Sequence, residues 1–285
     1  MNVSNQNSTE SNNQINPSDN IRIIFPPNHN FPLYYNNNKM YDRFLPFLIK
    51  SFNEKDTVID IGANVGDTLA GFVMSNPKPK FICIEPEDDF YSYLTTNVNT
   101  IKSAFKNINI RLEKKLVGKF VDNVKLIGEH GTSHSEKVID HDGIKSSKLD
   151  DIVDLTQDKI RLLKVDIDGY DYDAINSAER IINSIHPILF FECETKIDFQ
   201  LDGYKKTIKN LFNMDYKNFY AFDNFGNYLC KITDVFQLNE MLDYVWRENQ
   251  QKSTRTFYYF DFAACVNEDC DVVEQSIKEF LGSIC

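Results

Sequence analysis

The sequence predicts an α/β fold on a mostly parallel sheet that closes with antiparallel strands. Apolar runs at 57–61, 80–84, 161–167 and 187–193 alternate with amphipathic stretches of helical length, and strands without polar alternation are those covered on both faces. A Gly-bearing turn between the first run and the next helix gives the strand–helix–strand order of parallel pairing. Near the end, Asn224-Phe225-Gly226-Asn227 joins two short runs, 219–222 and 228–232, and Asn/Gly turns of this kind close hairpins.

The elements follow in order. Residues 1–20 are rich in Asn, Ser and Gln, a composition that buries too little apolar area to offset its ordering entropy, so an unstructured tail is expected. A β-like run at 21–25 precedes Pro26, Pro27 and Pro32. Phe44, Leu45, Phe47, Leu48 and Phe52 then recur at helical spacing, which predicts a covering helix over 41–52 within a lead-in of 21–56. Helices are expected over 68–74, 88–101, 149–155, 172–185, 204–212 and 235–246. Strands are expected at 108–112, near Leu116, at 124–127 and at 257–266, with 128–143 a polar loop. Length is compatible with one large domain over 57–285, since no repeat or Pro/Ser-rich linker divides it.

Composition narrows the function. The 285 residues carry 31 Lys+Arg against 42 Asp+Glu, a net charge of −11, and a field of that sign repels phosphate backbones and anionic headgroups. No apolar run approaches the roughly 20 residues of a membrane helix, and no signal-peptide order opens the chain, so a cytoplasmic protein without a membrane span is expected. Cys83, Cys193 and Cys265 lie inside apolar runs, the six cysteines show no CxxC spacing and the five histidines no HxxxH pair. A structural zinc, a disulfide framework and an iron–sulfur cluster are therefore not expected.

The chemistry concentrates where the first strand ends. Val58 to Thr68 reads VIDIGANVGDT. The strand delivers Asp60, Gly62 permits a tight turn, Asn64 suits a left-handed position, and Gly66 allows close approach at the next helix. The second strand ends at Glu85-Pro86, nineteen residues beyond Gly66, about where an acid can accept both hydroxyls of a ribose bound over the first turn.

With these motifs the chain resembles the FkbM family of S-adenosylmethionine-dependent methyltransferases. The resemblance rests on Asp60-Ile-Gly-Ala-Asn-Val-Gly66, on Glu85-Pro86 followed by Asp89-Phe90 and Leu94-Thr-Thr-Asn97-Val98, on Lys148-Leu149-Asp150-Asp151, and on Lys164-Val-Asp166-Ile-Asp168-Gly169. It implies a class I methyltransferase (Rossmann-like) three-layer sandwich, a seven-stranded mostly parallel sheet with an antiparallel C-terminal strand, and O-methylation with S-adenosyl-L-methionine as cofactor. Where the family usually has Glu in its Lys-x-Asp-x-Glu-Gly-x-Glu segment, this chain has Asp168 and Asp171, each one methylene shorter.

Roles follow as expectations. Asp60, Gly62, Asn64 and Gly66 hold the amino-acid end of the cofactor, Glu85 and Pro86 the ribose, and the stretch around Val117 the adenine edge. Lys164, Asp166 and Asp168 alternate, which predicts that they project to one side at a strand's carboxyl end, where open α/β sheets place ligands. Asp166 is the favoured base, with Lys164 holding it or stabilising the emerging alkoxide. His134, in the polar loop, is a second base candidate. Asp171 and Asp173 are read as acids of a helix's first turn. Asp166, Asp168 and Glu192 also supply the oxygen chemistry of a divalent cation, a possible but not favoured addition.

The acceptor expected is a small molecule or saccharide and not a nucleic acid, because the fourth strand lacks the Asn/Asp-Pro-Pro-aromatic segment of amino-methylating DNA enzymes. Two alternatives stand beside this reading. One is a methyltransferase fold that binds without catalysing. The other is a nicotinamide-dependent oxidoreductase, opposed by the absence of Gly-x-Gly-x-x-Gly order in the turn.

Overall fold

A computed structural model describes residues 14–18, 21–38, 40–119, 124–129, 131–137, 144–250 and 257–283. In chain order the elements are β1 (Gln14–Ser18), β2 (Ile21–Ile24), α1 (Phe31–Asn37), α2 (Leu45–Leu48), β3 (Asp56–Ile61), α3 (Asp67–Ser75), β4 (Lys80–Ile84), α4 (Asp88–Ala104) and β5 (Ile110–Glu113). Next come β6 (Val124–Glu129), β7 (Thr132–Lys137), α5 (Leu149–Ile152), β8 (Lys159–Val165), α6 (Asp171–Asn176), α7 (Glu179–Ile185) and β9 (Ile188–Glu194). The chain finishes with α8 (Asp198–Asn213), β10 (Asn218–Asp223), β11 (Tyr228–Ile232), α9 (Val235–Gln250), β12 (Tyr259–Cys265) and α10 (Cys270–Gly282).

The central sheet has eight strands in the order β11-β10-β12-β9-β8-β3-β4-β5. From β5 to β9 every neighbour is parallel, and β12 enters antiparallel between β9 and β10. The antiparallel final strand is as expected. The count of seven becomes eight because the hairpin's second arm, β11, pairs at the edge beyond β10.

Strand alternation divides the core in two. Ile59, Ile61, Ile82, Ile84, Leu163 and Val165 pack on one face with residues of α5 to α9. Val58, Phe81, Cys83, Leu162 and Ile188 pack on the other, with residues of β2, α2, α3, α4 and α10. Successive residues of a strand face opposite ways, so this second face also receives Asp60, two residues from Val58, and Lys164, two residues from Leu162. Glu192 joins them, four residues from Ile188, with Asp261, two residues from the similarly packed Ala263.

Several expected elements differ. The helix expected over 41–52 is reduced to α2, whose start is set by Pro46 in its first turn and by Asp42, which enters at a positive φ of 54°. The helix expected over 172–185 breaks into α6 and α7, and Ser177 at the break spends its hydroxyl on the Ala174 carbonyl and accepts the Leu149 amide. The polar loop expected over 128–143 contains β7, paired antiparallel with β6. The strand near Leu116 is a single bridge, Val117 to Ser147. Within the stretch read as a tail, residues 14–18 form β1, paired antiparallel with β2. Residues 1–13 and 19–20 lie outside the described residues.

Candidate active site

The turn after β3 is built from backbone. Gly62 and Ala63 both donate to the Ile84 carbonyl, at 3.0 and 3.1 Å, binding the turn to the end of β4. Gly62 has φ 76°, and a Cβ there would run into the carbonyl oxygen of Asp166, so only glycine lets the turns after β3 and β8 pack together. Gly66 has φ 87° at the start of α3, and the atom that fills the space beside it is a methyl of Leu94 on α4.

Glu85 lies behind this turn. One carboxylate oxygen accepts the Asn64 amide and the other the Glu87 amide, each at 2.9 Å. Burial pushes Glu85 up to about 7, against the pull of those two amides. The Asn64 side chain donates to the Gly131 carbonyl at 2.7 Å, at the tip of the β6–β7 hairpin. His29 Nδ1 accepts the Phe31 amide, which leaves the proton on Nε2 facing Asn64 Oδ1 at 3.1 Å. The lead-in segment and the hairpin thus meet over the turn.

A cavity of about 430 Å³ opens at the carboxyl ends of β3, β8 and β9, within the range of small-molecule sites. Gly62, Asn64, Lys164, Asp166, Asp168 and Glu192 all contribute to its wall. Lys164 is 3% exposed and its ammonium lies 3.0 Å from Asp60 Oδ1 and 3.2 Å from Asp166 Oδ2. Burial works against that ammonium, but the neighbouring carboxylates outweigh it and hold Lys164 well above the ordinary lysine range. Asp60 is 2% exposed, and burial raises it while Lys164 pulls it back. Asp166 is instead open to solvent.

The expected projection of Lys164, Asp166 and Asp168 from one strand is corrected. β8 ends at Val165, and Asp168 and Gly169 follow in a turn with φ 53° and 87°. All three still reach the same cavity. Glu85, Pro86, Gly66 and Val117 do not line it. Val117 packs in the core on the opposite face. His134 pairs with Ile127 in the β6–β7 ladder, and its side chain lies outside the described residues.

Three of the acids near the motifs hold the fold together. Asp171 accepts the Ile167 and Glu192 amides at 3.4 and 3.2 Å and the Tyr204 hydroxyl at 3.4 Å. Asp173 accepts the Lys119 amide at 2.8 Å. Asp150 caps α7 by accepting the Arg180 and Ile181 amides at 2.8 and 3.1 Å.

Asp42, Asp67 and Asp261 also line the cavity and escaped the sequence reading. For Asp261 a signal existed: like Asp60, Lys164 and Glu192, it is a charge set inside an apolar run. Burial pushes Asp67 up to about 7 and Glu192 and Asp261 well above the carboxylate range. Among the described residues no group of three His, Cys, Asp or Glu side chains is arranged to hold a metal ion. No described helix is long and apolar enough to cross a membrane.

Comparison with solved structures finds a methyltransferase FkbM from Methylobacillus flagellatus KT, 19% identical, with a TM-score of 0.38 over 57% of this chain and 48% of that one. The match thus spans about half the length of that protein. A precorrin-6y C5,15-methyltransferase from Geobacter metallireducens is 11% identical, with a TM-score of 0.40 over 78% and 86% of the two chains. The plantazolicin methyltransferase BamL, in complex with a triazolic desmethylPZN analog and SAH, is 10% identical, with a TM-score of 0.44 over 82% and 88%. No curated protein matches the chain. The family model of the methyltransferase FkbM domain matches residues 60–218, more than half of the sequence and the span that runs from Asp60 at the first turn to the start of β10, and the chain belongs to that family.

Proposed function

We propose that the chain is an S-adenosylmethionine-dependent methyltransferase that methylates a hydroxyl oxygen of a saccharide or small metabolite. The observation that carries this reading is the acid-lined cavity at the carboxyl ends of β3, β8 and β9, in a chain of a methyltransferase family. Acids outnumber lysines in its lining, and those nearest the glycine turn, Asp67 and Asp166, suit a ligand with sulfonium and ammonium charges, while the volume is that of a small-molecule site. The Gly62–Asn64 turn and the Asp60–Lys164 pair are assigned the amino-acid end. Glu85 and Pro86 are assigned the ribose and the backbone at Val117 the adenine edge. Each Glu85 oxygen accepts one amide and retains a lone pair for a hydroxyl.

S-adenosylmethionine, when bound, supplies an electrophilic methyl on a sulfonium that departs as a neutral thioether. The protein's own work is to align the acceptor oxygen and exclude water, worth roughly 7–11 kcal/mol, and to take the hydroxyl proton. Asp166 is assigned that proton: the acceptor oxygen forms its bond to carbon as the proton passes to the Asp166 carboxylate. Lys164, 3.2 Å from Asp166, orients this carboxylate and offsets negative charge developing on the oxygen.

Calorimetry of the purified chain with S-adenosylhomocysteine tests the proposal. Binding is expected, and Glu85→Ala is expected to weaken it through loss of a charge-assisted acceptor worth roughly 1.5–3 kcal/mol. A chain that binds neither S-adenosylhomocysteine nor S-adenosylmethionine would refute the assignment.

A further inference from the structure

On one face of the sheet, charged residues occupy adjacent strands: Asp60 on β3, Lys164 on β8, Glu192 on β9 and Asp261 on β12. Asp60 pairs with Lys164 in register and by charge. The other two do not neutralise each other. Glu192 and Asp261 stand directly opposite in the β9–β12 antiparallel ladder, a placement in which like charges repel.

Glu192 is only 9% exposed and lines the cavity. Among the described residues its carboxyl has no hydrogen bond and no ion pair, and the charged groups that act on it most strongly are Asp166, Glu194, Asp261 and Asp171, all acids. The lysines nearby are engaged elsewhere, Lys164 by Asp60 and Asp166 and Lys196 by Glu194 at 2.7 Å. Asp42 enters the same cavity from the lead-in segment. Glu192 is buried and Asp261 half-buried, and the cation that acts on Asp261 is Lys164, already shared by Asp60 and Asp166. Like charges held opposite each other cost stability, and a cationic ligand group offsets that cost.

We infer that Glu192 and Asp261, with Asp42 of the lead-in segment lining the same cavity, form a subsite for a protonated amine on the methyl acceptor. The acceptor class is then a hydroxylated compound bearing a cationic amino group, of which an amino sugar is the simplest form. This rests on the methyl-transfer reading above. A protonated amine has no lone pair to methylate, so the amine anchors the molecule and a hydroxyl receives the methyl.

Position argues against these acids serving the cofactor. β9 and β12 are the second and third strands from β3, roughly 10 and 14 Å from the glycine turn at a spacing of about 4.8 Å per strand. A metal is not the occupant the geometry favours, since no three ligands converge among the described residues. Aromatic rings complete the fit. Tyr34 and Tyr258, hydrogen-bonded to each other, line the same cavity with Phe31 and Tyr41, and aromatic faces attract cations and cover sugar rings.

The test is calorimetry on the full chain saturated with S-adenosylhomocysteine, titrated with D-glucosamine or with N-acetyl-D-glucosamine, which keeps the ring and removes the charge. D-glucosamine is expected to bind the natural chain about tenfold tighter than the N-acetyl form. The Glu192→Gln/Asp261→Asn double variant, checked for folding by its melting temperature, is expected to lose that preference while its affinity for S-adenosylhomocysteine is unchanged. Equal affinity for the two sugars, binding of neither, or a drop in S-adenosylhomocysteine affinity in the variant would each overturn the inference. Failure of the natural chain to bind S-adenosylhomocysteine would instead overturn the methyl-transfer reading.

Discussion

The Asp60–Lys164–Asp166 chain places one buried ion pair next to one open carboxylate, and the two ends do different work. Asp60 and Lys164 are almost wholly enclosed, at 2% and 3% exposure, so removing one partner strands the other. Lys164→Met is therefore expected to destabilise the protein by about 3–5 kcal/mol, read as a fall in the denaturation midpoint. Asp166 is exposed and carries less of the structure. Asp166→Asn is expected to leave the melting temperature nearly unchanged while lowering kcat by about 10²–10⁴-fold, measured by transfer of labelled methyl to an acceptor. Retained kcat would remove Asp166 from the base role. Residue types and spacing made Asp60, Lys164 and Asp166 legible in the sequence. Their connection was not, because it depends on β3 and β8 being neighbours in space, with Asp60 opposite Lys164, although more than a hundred positions apart in the chain.

Motif residues also act at the scale of whole elements. Asn97, fully buried on α4, donates to the Ile24 and Val65 carbonyls at 2.8 Å and accepts the Ile24 amide at 2.9 Å. It thereby fastens β2 to the turn that precedes α3. Asn97→Leu leaves those buried backbone groups without partners, at about 1–3 kcal/mol each. Hydrogen exchange at residues 21–24 is expected to accelerate far more than exchange in β3 or β4, and uniform protection would refute this fastening role. Apolar periodicity showed where most helices and strands lie, since burial on two faces dictates it. It failed where a local group overrides the pattern. Pro46 and the left-handed Asp42 delay the start of α2, the Ser177 hydroxyl bonds backbone at the break between α6 and α7, and the polar arm Thr132–Lys137 pairs with β6 as β7. No apolar pattern marks such a strand.

At the scale of the molecule, buried acids set the response to pH. Glu85 and Asp67 are each pushed by burial to about 7, above their unfolded values near 4.3 and 3.9. Between those values and about 7 the folded state binds more protons than the unfolded one, so stability declines as pH rises through that window. Glu192 and Asp261, displaced in the same direction, add to the decline. Chemical denaturation is expected to show greater stability at pH 5 than at pH 8, with the difference reduced in Glu192→Gln, and a flat profile would contradict the burial of these acids.

The place of β12 has a consequence for biosynthesis. Among the described strands of the sheet this one is made after the other seven, yet it belongs in the interior, between β9 and β10. Until Tyr259–Cys265 has left the ribosome, β9 and β10 each expose an unpaired edge of the kind that recruits foreign strands. A nascent chain stopped short of that segment therefore has two adhesive borders and lacks Asp261 altogether. Tyr259–Cys265 is the keystone that joins the β10–β11 pair to the five parallel strands from β9 to β5.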